Sequence, residues 1–459
     1  MYRRGLSRRQ VLYSAMAIGA SAALAACVPT PAAPTPEAAG ATSEAAPAAA
    51  AAEPITLTVW WNNWGEKWNA PMEEFGKTFT AENPSVNFEW TFSDEWREKL
   101  LARVAAGDPP DITYSNSSYQ ANLASQGTFL PLDEYVAQAG IKREDMIVAM
   151  WDQCLWEGKL FGLPGGADFI ALFYNKGVYK ETGLDPETPP KTVSELTEHS
   201  LKILKKDDAG NLERIGYSPY NYELSYWGFI FGGEWYDPEQ KKVTANHPKN
   251  VEALEWLVDY VSNMGADKLT TFQASQPDQW TPGNTFVTGR SAYVRDGYWQ
   301  GGILDDGAPD LEYGITYFPT LSGTLEERKL YMVGGWMVCL PKGTKYPDQA
   351  WQFMKYAFVD NSWKMGCQTV NGCTVIAQME QFTQCVIDAI GPENRMAPYF
   401  HVFGESGMAA TKYWPVMKAN ALYTDELARA YDAAVNSQKT AKQALDELTE
   451  LVQKELDKG

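Results

Sequence analysis

Alternating and helical hydrophobic patterns follow one another from Ile55 onward. Strand periodicity at "ITLTVWW" (55–61) is followed by a helical pattern that includes Phe75 and Phe79, and then by a second strand pattern at "VNFEWTF" (86–92). After another helical pattern, "ITYS" (112–115) predicts a third strand. Repeated β-α-β units predict a parallel sheet with helices on its faces. Ligands bind such sheets where the carboxyl ends of the strands meet.

Later segments continue the mixed pattern. "GKLFGLP" and "FIALFYNK" predict two strands around "GGAD" (165–168), and "SAYVRDGYW" and "MVGGWMVCLP" are further strand and loop candidates. Apolar residues at helical spacing predict a helix from about Asn250 and a closing helix over 441–456. The predicted fold class is α/β.

The length of the chain predicts two lobes. With 459 residues, the chain is longer than a single hydrophobic core usually accommodates. A composition of 45% hydrophobic and 21% charged residues is typical of a folded protein. A cleft between the lobes is therefore expected.

The N-terminus has a different composition. Four arginines precede an apolar run that ends at Cys27, and "LSRRQVLYSA" and "LAAC" resemble a twin-arginine signal and a lipobox. We therefore expect residues 1–26 to be an export signal and Cys27 to carry a lipid; the alternative is a helix that packs on the body. Residues 27–54 are rich in Ala and Pro and predict a disordered tether.

Net charge limits the classes of molecule that the chain is expected to bind. The formal charge is −19, and loss of the four arginines of the export signal brings the mature chain to −23. Such a field repels nucleic acid, so no nucleic-acid partner is expected.

Cysteine and histidine positions bear on disulfides and metals. Beyond Cys27 an odd number of cysteines remains, and Cys367 and Cys373 could close a short disulfide loop, with buried free thiols as the alternative. The sequence has no CxxC, and its three histidines lie far apart, so no metal site is expected. No GxSxG, HExxH, Walker A or GxGxxG motif occurs, and we expect neither an enzyme nor a cofactor.

The order of several segments resembles a known family. They are "ITLTVWWNNWG", "LLARVAAGDPPDITYSN", "WEGKLFGLPGGADFIALFYNKGVYKETGL", "FVTGRSAYVRDGYW", "YMVGGWMVCLPKGT" and "ALDELTELVQKEL". Together they resemble the extracellular solute-binding proteins of ABC importers, the carbohydrate-binding family that includes maltose-binding protein.

The resemblance implies a fold of the periplasmic-binding-protein type II kind. Two discontinuous lobes joined by hinge strands would close on a ligand. We expect residues 55–168 plus 290–335 in lobe 1 and residues 169–289 plus 336–459 in lobe 2.

A sugar needs flat aromatic rings for its C–H face and polar side chains for its hydroxyl groups. Strand alternation and loop position favour Trp61 and Asn63 for the cleft and leave Trp60 in the core. The resemblance implies that Trp299 stacks on the sugar. It also implies that loops after other strands contribute ligand-binding residues. Candidate ligand-binding residues are Trp61, Asn63, Ser115, Asn116, Asp168, Tyr222, Tyr226, Trp227, Asp296, Trp299, Gly335 and Trp336.

Each candidate has a structural alternative. The tryptophans of "VWWNNWG" could all pack, Ser115 and Asn116 could form a plain turn, and Asp168 could cap the following segment. The aromatic residues at 222–227 could form a patch under a loop, and Gly335 could serve only a hinge.

The expected function is that of an extracellular or periplasmic lipoprotein, a monomer, that delivers a sugar or oligosaccharide to an ABC permease. A secreted glycoside hydrolase is the alternative from another class. The same fold could also bind a polyol, a peptide or glycerol phosphate.

Overall fold

The computed structural model describes residues 54–277, 281, 283–329, 332–369 and 371–458. The predicted export signal, the lipidation site at Cys27 and all of the predicted tether except Pro54 lie outside the described residues.

The described residues form fourteen strands and eighteen α-helices. The strands are β1 (Ile55–Trp61), β2 (Val86–Phe92), β3 (Ile112–Asn116), β4 (Leu155–Trp156), β5 (Lys159–Leu160), β6 (Leu163–Ala167), β7 (Ile170–Asn175), β8 (Lys205–Lys206), β9 (Leu212–Arg214), β10 (Tyr236–Asp237), β11 (Lys242–Val243), β12 (Tyr293–Gly297), β13 (Tyr313–Thr316) and β14 (Gly335–Cys339). The helices are α1 (Glu66–Glu82), α2 (Trp96–Ala106), α3 (Ser117–Ser125), α4 (Asp133–Ala139), α5 (Val148–Gln153), α6 (Lys176–Thr182), α7 (Val193–Ile203), α8 (Leu224–Ile230), α9 (Pro248–Ser262), α10 (Ala266–Ala274), α11 (Gln300–Gly307), α12 (Leu325–Lys329), α13 (Pro347–Lys355), α14 (Ser362–Gln368), α15 (Met379–Ile390), α16 (Phe400–Ala409), α17 (Asn420–Val435) and α18 (Ala441–Leu456). No helix among these is long and apolar enough to span a bilayer.

The first sheet has the strand order β2-β1-β3-β14-β6. β1 pairs in parallel with β2 and β3, which confirms the three strands and two helices predicted at the start of the body. Gly107 ends α2 in the left-handed region at φ 74°, a conformation that costs glycine least. β14 joins antiparallel between β3 and β6, so the sheet is mixed.

A second sheet, β12-β7-β13, is shared by two hydrophobic cores. The first core surrounds the five-stranded sheet, and most of its buried residues come from 57–171 and 337–410. The second comes mainly from 172–293 and 417–452. Along β7, Ala171 and Phe173 enter the first core and Leu172 and Tyr174 enter the second. Strand alternation thus gives β7 one face in each lobe.

The structure places the predicted lobe boundaries differently. Residues 336–459 were expected together in the second lobe, but buried side chains from Met337 to Ala410 belong to the first core. The reason is that β14 pairs with β3 and β6 and so returns the chain to the first sheet. Residues 290–335 are divided as well, since Ala292 and Tyr293 lie in the second core.

The two helices predicted from about Asn250 and over 441–456 are confirmed as α9 and α18. α9 buries Leu254, Leu257 and Val261, and α18 buries Leu448 and Val452, all within the second core. Thr440 caps α18 through its hydroxyl oxygen, which accepts a hydrogen bond from the Gln443 backbone N–H at 3.2 Å.

The disulfide differs from the one predicted. Cys367 is bonded to Cys385 instead of Cys373, and it joins α14 to α15. Cys373 is a buried thiol on the loop between those helices. Spacing alone could not select Cys385, because the pairing depends on how the two helices turn back on each other.

Candidate ligand-binding cleft

A cavity of about 690 Å³ opens between the first turn of α1 and the first turns of α11. Among the described residues, four tryptophans line it together with three charged side chains and one amide. The lining residues are Trp64, Lys67, Trp68, Asp168, Trp299, Gly302, Ile303, Asp306, Trp336 and Asn371. Such a mixture of apolar surface and few polar groups is typical of small-molecule sites.

The turn after β1 positions one wall. Asn63 accepts hydrogen bonds through Oδ1 from the Gly65 backbone N–H at 3.1 Å and from Asn69 Nδ2 at 2.9 Å. Gly65 has φ 88°, which permits the sharp entry into α1. Trp64 ends the turn, and Lys67 and Trp68 follow on the first turn of the helix, so all three face the same cavity.

A column of stacked rings supports the floor. Trp61 and Tyr114 are stacked with centroids 3.7 Å apart and an interplanar angle of 12°. Trp336 lies on the other side of Tyr114 at 5.2 Å and 8°, and Trp64 meets Trp336 edge-on at 5.2 Å. Only Trp336 and Trp64 reach the cavity, because Trp61 and Tyr114 are buried beneath them.

Asp168 brings a carboxyl group to the floor between β6 and β7. Its backbone N–H donates to Gly334 O at 3.0 Å. Burial of the carboxyl raises the pKa of Asp168 to about 7, and the positive charge of Arg295 opposes that shift. A carboxyl in this state exchanges its proton near neutral pH, so its hydrogen-bonding role depends on pH.

The opposite wall consists of Trp299 and α11. Arg395 holds this helix by donating hydrogen bonds to the backbone oxygens of Leu304 at 3.1 Å, Ala308 at 3.0 Å and Leu311 at 2.7 Å. It also pairs with Asp305 at 3.0 Å. The wall that carries Gly302, Ile303 and Asp306 is therefore fixed by a residue from the segment before α16.

A polar and aromatic cluster adjoins Asp168 on the side of the second core. Arg295 pairs with Glu223 at 3.0 Å instead of with its chain neighbour Asp296, and its guanidinium lies 3.9 Å from the centre of the Tyr226 ring. Tyr222 is 46% exposed and stacks on Tyr220. Neither Tyr222 nor Tyr226 lines the cavity.

The cavity brings together three of the residues predicted from sequence, namely Asp168, Trp299 and Trp336. Four other candidates are corrected because their side chains are buried away from it: Trp61 at 1% exposure, Ser115 at 0%, Trp227 at 1% and Asp296 at 2%. Trp227 packs against Trp256 and Tyr217 in the second core. The half-buried Trp60, expected in the core, lies beneath the Arg103 guanidinium at 5.3 Å.

The remaining three candidates have local structural roles. Asn63 braces the turn before α1, and Asn116 caps α3 by accepting from the Ser118 backbone N–H at 3.0 Å. Gly335 permits close packing of β14 on β6, since a methyl group there would lie 2.2 Å from Gly166 O. None of these three residues lines the cavity.

Sequence reasoning missed most of the α1 and α11 contributions. Trp64 precedes α1 and Lys67 and Trp68 lie on its first turn, and nothing in the sequence shows that the start of this helix borders a cavity. Asn371 lies on the loop between α14 and α15, the two helices that the disulfide joins. No sequence pattern indicated that this residue lines the cavity.

Comparison with known proteins defines the family. A family model described as bacterial extracellular solute-binding protein matches residues 61–360. The chain belongs to this family. The resemblance to the ABC solute-binding proteins related to maltose-binding protein is thereby confirmed.

This solute-binding protein has low sequence identity to one maltotriose-binding protein. It is 23% identical over 302 residues to a maltotriose-binding protein of Pyrococcus abyssi, a match that covers 65% of this chain and 61% of that protein. The chain therefore spans less than two thirds of the length of that relative.

Two solved structures share the fold. The cyclic alpha-maltosyl-1,6-maltose binding protein of Arthrobacter globiformis has a TM-score of 0.71 at 21% identity, with 88% of this chain and 100% of that one covered. CpMnBP1 with mannotriose bound has a TM-score of 0.69 at 24% identity, with 87% and 100% covered. The solute-binding protein is thus a two-lobed α/β protein of the predicted class.

Proposed function

We propose that this solute-binding protein captures a neutral sugar or oligosaccharide in the tryptophan-lined cavity and delivers it to an ABC permease. The observation that carries the proposal is the presence of Trp64, Trp68, Trp299 and Trp336 around one cavity with Asp168 on its floor. Indole rings cover the C–H faces of pyranose rings, and carboxyl oxygens accept hydrogen bonds from sugar hydroxyl groups.

Size and charge support this ligand class. About 690 Å³ falls within the usual range of small-molecule sites, roughly 300–1,000 Å³, and leaves room for more than one sugar unit. Within the described ranges, the charged residues that line the cavity are Asp168, Asp306 and Lys67, so two carboxyl groups face one ammonium. This balance disfavours phosphorylated glycerol and other anionic ligands. Two similar proteins bind neutral oligosaccharides, maltotriose and mannotriose. Another relative, from Escherichia coli and 25% identical over 158 residues, is an sn-glycerol-3-phosphate-binding protein, so for this chain the preference for a neutral ligand rests on the charges of the cavity.

Isothermal titration with a panel of oligosaccharides tests the ligand. We expect saturable heat with one or more neutral sugars, including maltotriose or mannotriose, and none with glycerol 3-phosphate. Tight binding of an anion or peptide, with no heat from any sugar, would overturn the proposal.

The protein is proposed to bind without catalysis. The glycoside hydrolase alternative needs two carboxyl groups across the scissile bond, and Asp168 and Asp306 are the two that line this cavity. Prolonged incubation with each bound oligosaccharide should leave it intact by chromatography. Hydrolysis that is lost in Asp168→Asn or Asp306→Asn would contradict the binding role.

The proposal also includes export of the protein and its attachment to the membrane through a lipid. The segment "LAAC" before the body supports lipid attachment at Cys27, and the family of extracellular proteins supports a place outside the cytoplasmic membrane. In a bacterial host the wild type should enter the membrane fraction with the mass of a lipidated Cys27, and Cys27→Ala should not. Equal fractionation of the two forms would contradict lipid anchoring.

A further inference from the structure

The Trp299 indole lies directly against the backbone of Gly297. A methyl group added at Gly297 would lie 2.3 Å from Cη2 and Cζ3 of Trp299 and 2.4 Å from Cζ2. Carbon atoms that are not bonded prefer about 3.5–4.0 Å, so the ring occupies space that any other side chain would fill. The position of the ring therefore depends on the missing side chain.

The backbone beside the ring is held on both sides. Gly297 is paired with Ile170 at the end of β12. Tyr298 is buried, with its ring 5.6 Å from Phe400 and 5.9 Å from Phe382. Because sheet pairing and core packing flank Gly297, a clash at this residue is relieved most easily by movement of the half-buried indole.

Asp296 braces the turn that leads to Trp299. Its Oδ1 accepts a hydrogen bond from the Gly297 backbone N–H at 2.8 Å. Burial raises the pKa of Asp296 to about 7, while the Gly297 N–H, the charge of Arg295 and the Trp299 side chain act in the opposite direction. The carboxyl is 2% exposed and does not line the cavity, so its contacts are with protein groups.

We propose that Gly297 and Asp296 are positioning residues that set the angle of the Trp299 ring in the cavity wall. This inference rests on the proposed sugar-binding function, in which Trp299 provides one of the flat surfaces. Gly297 leaves the space in which the ring lies, and Asp296 fixes the turn that presents it. Neither residue touches the ligand.

A double-mutant cycle tests whether the two residues act through Trp299. Gly297→Ala should weaken affinity for the bound sugar about tenfold, because the ring must leave its preferred position. In a Trp299→Ala background the same change should alter affinity by less than about twofold, since the ring that clashes is gone. Gly283→Ala is the matched control, because a methyl group there meets no atom of the described part of the chain within 4 Å. Equal losses in both backgrounds, or full affinity of Gly297→Ala alone, would overturn the inference.

A second variant covers the case in which Gly297→Ala does not fold. Asp296→Asn keeps the shape of the side chain and should weaken sugar affinity about threefold, again only when Trp299 is present. Unchanged affinity, or a loss of equal size in the Trp299→Ala background, would remove Asp296 from the proposal.

A measurement without ligand separates this inference from the proposed function. The indole N–H resonance of Trp299, assigned as the signal missing from Trp299→Phe, should shift in Gly297→Ala and Asp296→Asn but not in Gly283→Ala. If no sugar binds the wild type, the proposed function fails, yet a shifted resonance still supports the positioning role. An indole resonance that is the same in all three variants would contradict it.

Discussion

Trp336 stacks on Tyr114 with ring centroids 5.2 Å apart and planes at 8°. One ring faces the cavity and the other is buried, so their substitutions should have different effects. Trp336→Ala should weaken sugar binding more than tenfold and lower the melting temperature less than Tyr114→Ala does, because the half-buried Trp336 contacts the ligand as well as Tyr114 and Trp64. Titration calorimetry and thermal unfolding measure the two quantities, and a large loss of stability with normal affinity would contradict the assignment.

Tyr114 should behave as a core residue. Tyr114→Ala removes the middle ring of the column and should lower the free energy of unfolding by about 3–5 kcal/mol. Tyr114→Phe is the control, since the buried hydroxyl has no hydrogen-bond partner among the described residues. We expect Tyr114→Phe to be as stable as the wild type or slightly more stable. A large loss in Tyr114→Phe, measured by chemical denaturation, would show that the hydroxyl is engaged.

The carboxyl of Asp296 should make stability depend on pH. Its pKa in the folded protein, about 7, is raised above the usual 3.8 by burial, so the folded state holds a proton that the unfolded state releases. The resulting contribution to stability is full below about pH 4 and is lost as pH rises toward 7. Unfolding free energy should therefore fall more between pH 5 and pH 8 in the wild type than in Asp296→Asn. Equal falls in the two proteins would contradict a raised pKa.

The carboxyl of Asp168 should make sugar binding depend on pH. Its pKa of about 7 also results mainly from burial, but this group faces the cavity. An ionised carboxylate accepts stronger hydrogen bonds from sugar hydroxyl groups than a protonated carboxyl does. Affinity should rise between pH 5.5 and pH 8.5, and Asp168→Asn should bind more weakly with a flatter profile. The same pH profile in both proteins would show that another group controls it.

An experiment can distinguish the Cys367–Cys385 disulfide from the Cys367–Cys373 disulfide that residue spacing predicts. The Cys367–Cys385 bond closes a sequence separation of 18 residues, which is expected to contribute about 3 kcal/mol to stability. Dithiothreitol should lower the melting temperature of the wild type and of Cys373→Ala but not that of Cys385→Ala. If dithiothreitol instead lowered the melting temperature of Cys385→Ala but not that of Cys373→Ala, the result would favour a Cys367–Cys373 bond.

The sequence predicted the β-α-β start, the two-lobed class and the helices α9 and α18 of the second core, because strong periodicity marks buried faces. Its assignment of Trp60 to the core and of Trp61 to the cleft was wrong. Alternation requires Trp60 and Trp61 to lie on opposite faces but does not show which of the two faces is more deeply covered. Trp61 is buried by Tyr114 and Phe358, and Trp60 is left half-buried.

The features that the sequence did not predict depend on contacts between residues far apart in the chain. The strand at 335–339 was recognisable, but its place between β3 and β6 depends on partners more than 160 residues away. Its position moves 336–410 into the first core and Trp336 onto the cavity floor. The contributions of α1 and α11 to the cavity also depend on how distant elements approach each other, which local patterns do not encode.

A crystal structure of the protein saturated with its tightest-binding oligosaccharide tests the central claim most directly. We expect a sugar ring stacked on Trp336 or Trp299 at about 4 Å, with a hydroxyl group hydrogen-bonded to Asp168. A sugar bound elsewhere on the protein, with no contact to these three residues, would contradict the account.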